Sequence, residues 1–213
     1  LVPLHFWLPD AHATAPAPAS ALLSGVMTSM GVYALLRLNQ ILYMGPELPY
    51  ALLALGIASV IYGGVQAYVQ DDIKRLLAYS TISGTGFSAT LLALYMIDPA
   101  EQVLNAVLLS VAAHAAYKAA LFLDAGVAEL YGHTRSISRL SGVSASYPYS
   151  AVAAMLSFFS LVGLPPTLGF AAKLYAALAI IGCATPYAAR GAALAALAVS
   201  IALSALYGMR YIR

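Results

Sequence analysis

The chain has 213 residues, of which 62 % are hydrophobic and only 8 % are charged, against roughly 25 % charged in an average soluble domain. Its formal charge of +2 comes with no basic cluster dense enough for nucleic acid, and its lone Cys183 excludes an intramolecular disulfide and a multi-cysteine iron–sulfur site. No phosphate-binding or dinucleotide glycine fingerprint occurs, and the apolar runs are continuous rather than alternating as in a β-barrel, so the fold class predicted is all-α, a polytopic transmembrane helix bundle in a lipid bilayer.

Pro3, Pro9, Pro16 and Pro18 predict an irregular opening over residues 1–19, with Ser20 as the N-cap of a first span, Ala21–Leu38. Pro46 and Pro49 separate it from a second span, Tyr50–Gln70. The stretch Asp71-Asp72-Ile73-Lys74-Arg75 marks a membrane edge, and a third span over Leu76–Ile97 carries a hydroxyl-rich patch from Tyr79 to Gly86. Asp98-Pro99 turns the chain into Val103–Ala128, long enough to cross a hydrocarbon core of about 30 Å at about 1.5 Å per residue. A polar loop is expected over Glu129–Pro148. Tyr149–Gly163 and Leu168–Cys183 are both apolar, each is shorter than the roughly 20 residues a span needs, and Pro165-Pro166 lies between them. They read as one discontinuous helix whose break must face protein or a water-filled cavity. Pro186 and Gly191 lead into a last span, Ala192–Ile212.

With the interrupted segment counted as one crossing there are six crossings. Links 71–75 and 129–148, the C-terminal end and residues 1–19 then share one side. Lys74, Arg75, Arg135, Arg139, Arg210 and Arg213 lie there, against Arg37 and Arg190 opposite, which predicts a multi-pass protein of the cell membrane with that side cytoplasmic. A re-entrant interrupted segment would move the C-terminus across. The opening on Leu1-Val2-Pro3 and the stop at Arg213 suggest a piece of a longer protein, read as one transmembrane domain over residues 1–213.

His114 and Lys118 stand in the middle of Val103–Ala128, four residues apart and so on one helical face. An ionisable side chain at the bilayer centre costs roughly 2.5–3.5 kcal/mol on insertion scales, so the pair points to charge handled inside the membrane. Two bases one turn apart can pass a proton through a water; the bland alternative is a hydrogen-bonded histidine and a lysine reaching a headgroup. Lys173 follows the helix break, where free carbonyls and a partial charge favour ion sites, or where a lysine simply satisfies those carbonyls. Asp124 lies on a different face from Lys118, Glu129 about three turns away on the same face, and both acids read chiefly as markers of the span's end. Thr28 and Ser29 read as intrahelical hydrogen-bonders. His5 and His12, seven apart with Asp10 between, are not read as a metal site, and no catalytic constellation or cofactor site is found. The residues alone describe an ion carrier, or the ion-carrying part of a larger machine.

Four ordered motifs carry a resemblance. Pro3-Leu4-His5-Phe6-Trp7-Leu8-Pro9-Asp10-Ala11-His12 with Ser20-Ala21-Leu22-Leu23, Asp72 to Ser83, His114 to Leu123, and Gly163 to Phe170 with Lys173 resemble the signatures of a membrane subunit family. It comprises the proton-translocating, antiporter-like subunits of respiratory complex I, membrane-bound hydrogenases and multisubunit cation/proton antiporters. The resemblance implies two inverted repeats of five helices, each with a broken helix. This chain would cover the end of the first and nearly all of the second. It implies that His114 and Lys118 are links in a hydrophilic axis and that Lys173 is the terminal group at the proton exit. Two departures stand out: Ser29 replaces a lysine common in the family, and Gly84 a frequent histidine. Ser29 therefore either removes a relay site or leaves the task to a water held by Thr28 or Ser29.

The resemblance further implies a membrane subunit without redox cofactors of its own, in an assembly of the NADH:quinone oxidoreductase or hydrogenase type. Its partners would be other membrane subunits and redox-carrying peripheral subunits. The alternatives are a subunit of a sodium/proton antiporter without redox partners and a structural subunit that has lost transport.

Overall fold

The computed structural model describes residues 1–42, 45–140, 142 and 146–212, so Arg213 and part of the expected polar loop lie outside the described residues. Helices build the fold. They are α1 (Trp7–Thr14), α2 (Ala17–Leu22) passing through a π-helical turn (Leu23–Met27) into α3 (Thr28–Ile41), α4 (Glu47–Val69), α5 (Ile73–Ile97), α6 (Glu101–Gly132), α7 (Pro148–Val162), α8 (Leu168–Gly182) and α9 (Tyr187–Ile212). Residues 17–41, α4, α5, α6 and α9 are each long and apolar enough to cross a membrane, and α7 and α8 are shorter apolar helices. The chain is a multi-pass membrane protein.

Three expectations are corrected. The opening is helical rather than irregular, because its prolines sit where helices tolerate them. Pro9 is third in α1 and Pro18 second in α2, positions whose N–H would have no partner within the helix. Ser20 is not an N-cap: α2 starts at Ala17, and the Ser20 hydroxyl donates to the His12 carbonyl at 3.1 Å. The loop expected from Glu129 begins later, since α6 runs on to Gly132 over 32 residues. Asp72, read as part of a charged edge, is the N-cap of α5 and accepts from the Lys74 and Arg75 amides at 2.9 and 3.1 Å.

α5 is the axis of the bundle. It packs on α4 through small residues, with Gly56 and Gly63 of α4 lying against Gly86 and Ser83 of α5 without room for a Cβ. The buried apolar residues fall into two clusters. One gathers Leu52, Leu91 to Leu94, Val103 and Ile180; the other gathers Ile73, Leu76, Leu77, Leu121, Phe122 and Phe158. Between them on α5 and α6 lies a buried polar layer, with Ser80, Thr81, Ser83, His114 and Lys118.

The two ends of the bundle fix the topology. At one end the Ile137 amide donates to the Asp71 carbonyl at 2.8 Å, the Ile73 amide donates to the Arg135 carbonyl at 3.0 Å, and Arg75 pairs with Asp10 at 2.8 Å. Arg210, near the end of α9, reaches the Tyr68 carbonyl there too. At the opposite end the Ala184 amide, just past α8, donates to Asp98 at 2.7 Å. α7 and α8 therefore make one complete crossing, and the re-entrant alternative is overturned.

Candidate functional site

Lys118 lies wholly out of solvent at 0 % exposure. Its Nζ donates to the Leu77 carbonyl at 3.0 Å and to the Ser80 hydroxyl, both on α5. The same carbonyl accepts from the Ser80 and Thr81 hydroxyls at 2.8 and 2.9 Å, so hydroxyl side chains folded back on α5 build the seat. Among the described residues no carboxylate pairs with Lys118. An ammonium bound by neutral acceptors leaves no orphaned carboxylate behind when it gives up a proton.

His114, one turn earlier on α6, is also buried, and its Nδ1 lies 3.0 Å from the Tyr117 hydroxyl. Its ring stands where a side chain on Gly84 would have to be, so the glycine is what lets the imidazole lie against α5. Sequence reasoning treated Gly84 as a lost histidine; here its missing Cβ is also a steric requirement of His114.

Lys173, on α8, reaches back across the break. Its Nζ donates to the Leu161 and Val162 carbonyls at 2.8 Å each, two of the last carbonyls of α7. These have no intrahelical partner, and a cation there also meets the negative end of the helix dipole. Gly163 follows with a φ of +89° and lies under the Lys173 stem, so both conformation and space call for glycine. The Thr167 hydroxyl then caps α8 by accepting from the Phe170 amide at 3.4 Å.

A chamber with about 30 Å³ of room for water lies between the two lysines, lined among others by Ser80, Tyr117, Ser160, Lys173, Ser204 and Tyr207. A water needs only about 10–15 Å³ on that measure, together with 2–4 polar partners, so hydrated hydroxyls can join Ser80, which holds Lys118, to Lys173. Tyr117, Ser160, Ser204 and Tyr207 escaped sequence reasoning. The legible signal was the helical spacing of Ser200, Ser204 and Tyr207 on α9.

The accessory candidates lie elsewhere. Thr28 and Ser29 donate to the Ser24 and Gly25 carbonyls of their own helix at 2.6 and 2.8 Å. Ser24, one turn earlier, makes the link to α5, lying 2.8 Å from the Thr81 hydroxyl. Glu129 does not turn toward Lys118, because Lys74 takes it at 2.6 Å. Asp124 accepts from the Ser150 and Tyr211 hydroxyls at 2.6 and 2.7 Å. His5 and His12 line a separate, mostly apolar cavity of about 410 Å³, and His12 stacks on Phe122 at 4.8 Å between ring centres. Among the described residues no group of three or more His, Cys, Asp or Glu side chains could hold a metal ion.

A family model described as NADH:quinone oxidoreductase/Mrp antiporter, TM, matches residues 1–204. NAD(P)H-quinone oxidoreductase chain 4 1 of Synechococcus elongatus is 36 % identical over 215 residues, taking in 100 % of this chain and 40 % of that protein. Hydrogenase-4 component B of Escherichia coli is 33 % identical over 82 % of this chain and 28 % of its own length. A solved structure of the Mrp complex from Dietzia sp. superposes with a TM-score of 0.86 and 32 % identity over 97 % of this chain and 22 % of its counterpart. The chain thus spans about 40 % or less of the length of these relatives.

Proposed function

Because the chain belongs to the NADH:quinone oxidoreductase/Mrp antiporter transmembrane family, we propose that it is the proton-carrying part of an antiporter-like membrane subunit in a redox-driven complex. The observation that carries this reading is Lys118, buried with no carboxylate partner among the described residues and held by Ser80, which lines one hydroxyl-bearing chamber together with Lys173. Protons would pass among His114, Lys118 and Lys173, with redox energy released in partner subunits shifting their affinities in turn. α4 to α9 would form one five-helix repeat, with α7 and α8 as its broken helix, and α1 to α3 the end of another.

The partners in this reading are other membrane subunits and peripheral subunits that hold the redox cofactors, leaving this chain none of its own. The end carrying Lys74, Arg75, Arg135 and Arg210 faces the cytoplasm of a cell membrane. Lys118→Ala in the complete assembly should abolish or sharply cut proton pumping while electron transfer slows only through coupling. An unchanged pumping stoichiometry would overturn the relay.

The likeness to the Mrp complex of Dietzia sp. favours a second reading, a sodium/proton antiporter subunit with no redox partner. Neighbouring genes for a hydrogenase-like or quinone-site module support the first reading, and neighbours that encode only small antiporter subunits support the second. Mass spectrometry of the purified assembly distinguishes the two directly.

A further inference from the structure

Asp124 is a half-buried carboxylate inside a transmembrane helix, eight residues or about 12 Å short of the end of α6. No cation pairs with it among the described residues. Its two acceptor atoms are taken by hydroxyls, Ser150 of α7 on Oδ1 at 2.6 Å and Tyr211 of α9 on Oδ2 at 2.7 Å. Tyr211 also lies 3.1 Å from the Leu121 carbonyl, so its single hydroxyl proton has two acceptors to choose between.

The relay sketched above leaves this group unused, yet a hydroxyl-bearing stripe leads from it to the chamber. Ser200, Ser204, Tyr207 and Tyr211 fall at helical spacing on one face of α9. The first three line the chamber with Ser80 and Lys173, and the fourth holds Asp124. The Tyr207 side chain is buried at 2 % exposure, whereas Asp124 is partly exposed and level with the first residues of α7 and the last of α9.

We infer that Asp124, with Tyr211 and Tyr207, is a proton port that connects the aqueous end of the bundle to the Lys118–Lys173 chamber. The inference rests on the relay reading above. A proton taken from water turns the Asp124 carboxylate into a carboxylic acid. The acid hands it to the Tyr211 oxygen as the Tyr211 hydroxyl proton leaves for a water between the two tyrosines, which stand one turn apart on α9. That water passes a proton to the Tyr207 oxygen as the Tyr207 hydroxyl proton enters the chamber. One proton enters and one leaves at each tyrosine, no tyrosinate forms and no electron moves. The proton ends on the amine nitrogen of Lys118 or Lys173.

The test uses the full-length subunit in its native assembly, reconstituted in liposomes, with proton translocation and electron transfer read together. Asp124→Asn and Tyr211→Phe should each slow translocation about tenfold or more, and Asp124→Glu should keep most of it. Infrared difference spectra on turnover should show a carboxyl band that Asp124→Asn removes and Asp124→Glu shifts, a signature that a purely structural aspartate would not give. Lys118→Ala is run beside them. If it stops pumping while Asp124→Asn and Tyr211→Phe pump normally, the port falls and the relay stands. If Lys118→Ala itself pumps normally, the relay and the port fall together. Tyr211→Phe leaves the carboxylate and the ring packing in place and decides the matter where Asp124→Asn does not assemble.

Discussion

Lys173 spans a gap that the backbone leaves open: two carbonyls of α7 have no amide to accept from, and the ammonium supplies both bonds. This sets how the position tolerates change. Exchange of lysine for glutamate would aim acceptors at acceptors and place negative charge at the negative end of α7. Lys173→Glu should therefore destabilise the subunit by about 1–3 kcal/mol, the cost of leaving buried carbonyls unsatisfied. Lys173→Arg should cost less, and thermal denaturation of the purified assembly compares the two. Gly84 makes a parallel case. Gly84→Ala should force the His114 ring away from α5 at about 1–3 kcal/mol, the usual range for overpacking. Gly31→Ala, with open space around its Cβ position, should lose nothing and gain a few tenths of a kcal/mol or more from helix propensity. The charged side chains of the site were legible in the sequence because titratable groups within apolar runs are rare. What they bind was not, since the Leu77, Leu161 and Val162 carbonyls carry no signal in residue type.

At the scale of elements, spacing and proline placement were enough to find each span, and they put the break in the right place between α7 and α8. They erred over residues 1–19, where prolines were taken for helix breakers. Pro9 and Pro18 begin helices, and nothing in the residue type alone says which role a proline takes. The short connection after α6 was also misjudged, because its structure depends on a distant partner. Residues 135–138 lie along 71–73, with Asp71 accepting from the Ser136 hydroxyl at 2.5 Å and from the Ser138 amide and hydroxyl at 3.2 Å each. These bonds, led by that from Ser136, hold the Asp71 carboxyl below its usual pKa. A carboxyl depressed in the folded state lends stability above the unfolded value of about 3.9 and loses it as the pH falls through the lower, folded value. Acidification below about pH 4 should therefore loosen this connection. The Ile137 amide, which donates to the Asp71 carbonyl, should lose protection against hydrogen exchange there, measured relative to its intrinsic rate at the same pH, and Asp71→Asn should flatten the response.

At the scale of the whole molecule, the charges other than Lys118, Asp124 and Lys173 gather at two ends. Lys74, Arg75 and Arg135 are neutralised in part by Glu129, Asp10 and Asp72 at one end. Arg210 lies over the Tyr68 ring beside them. At the other end Arg190 lies over Tyr187 and Arg37 donates to Gln40. The excess of lysine and arginine at the first end is what the positive-inside rule weighs, with acids contributing little, so these ion pairs do not cancel the signal. That end should therefore be cytoplasmic. Cysteine labelling of the full-length subunit in oriented vesicles tests this, in a Cys183→Ser background that removes the buried thiol. Arg139→Cys, exposed beyond α6, should react with a membrane-impermeant reagent only from the cytoplasmic face, and Ala188→Cys, exposed near the start of α9, only from the other. Opposite labelling would invert the whole bundle and place Asp124 and its tyrosines at the exit rather than the entry of the chamber. Labelling of both sites from one face would contradict the single crossing that α7 and α8 make together.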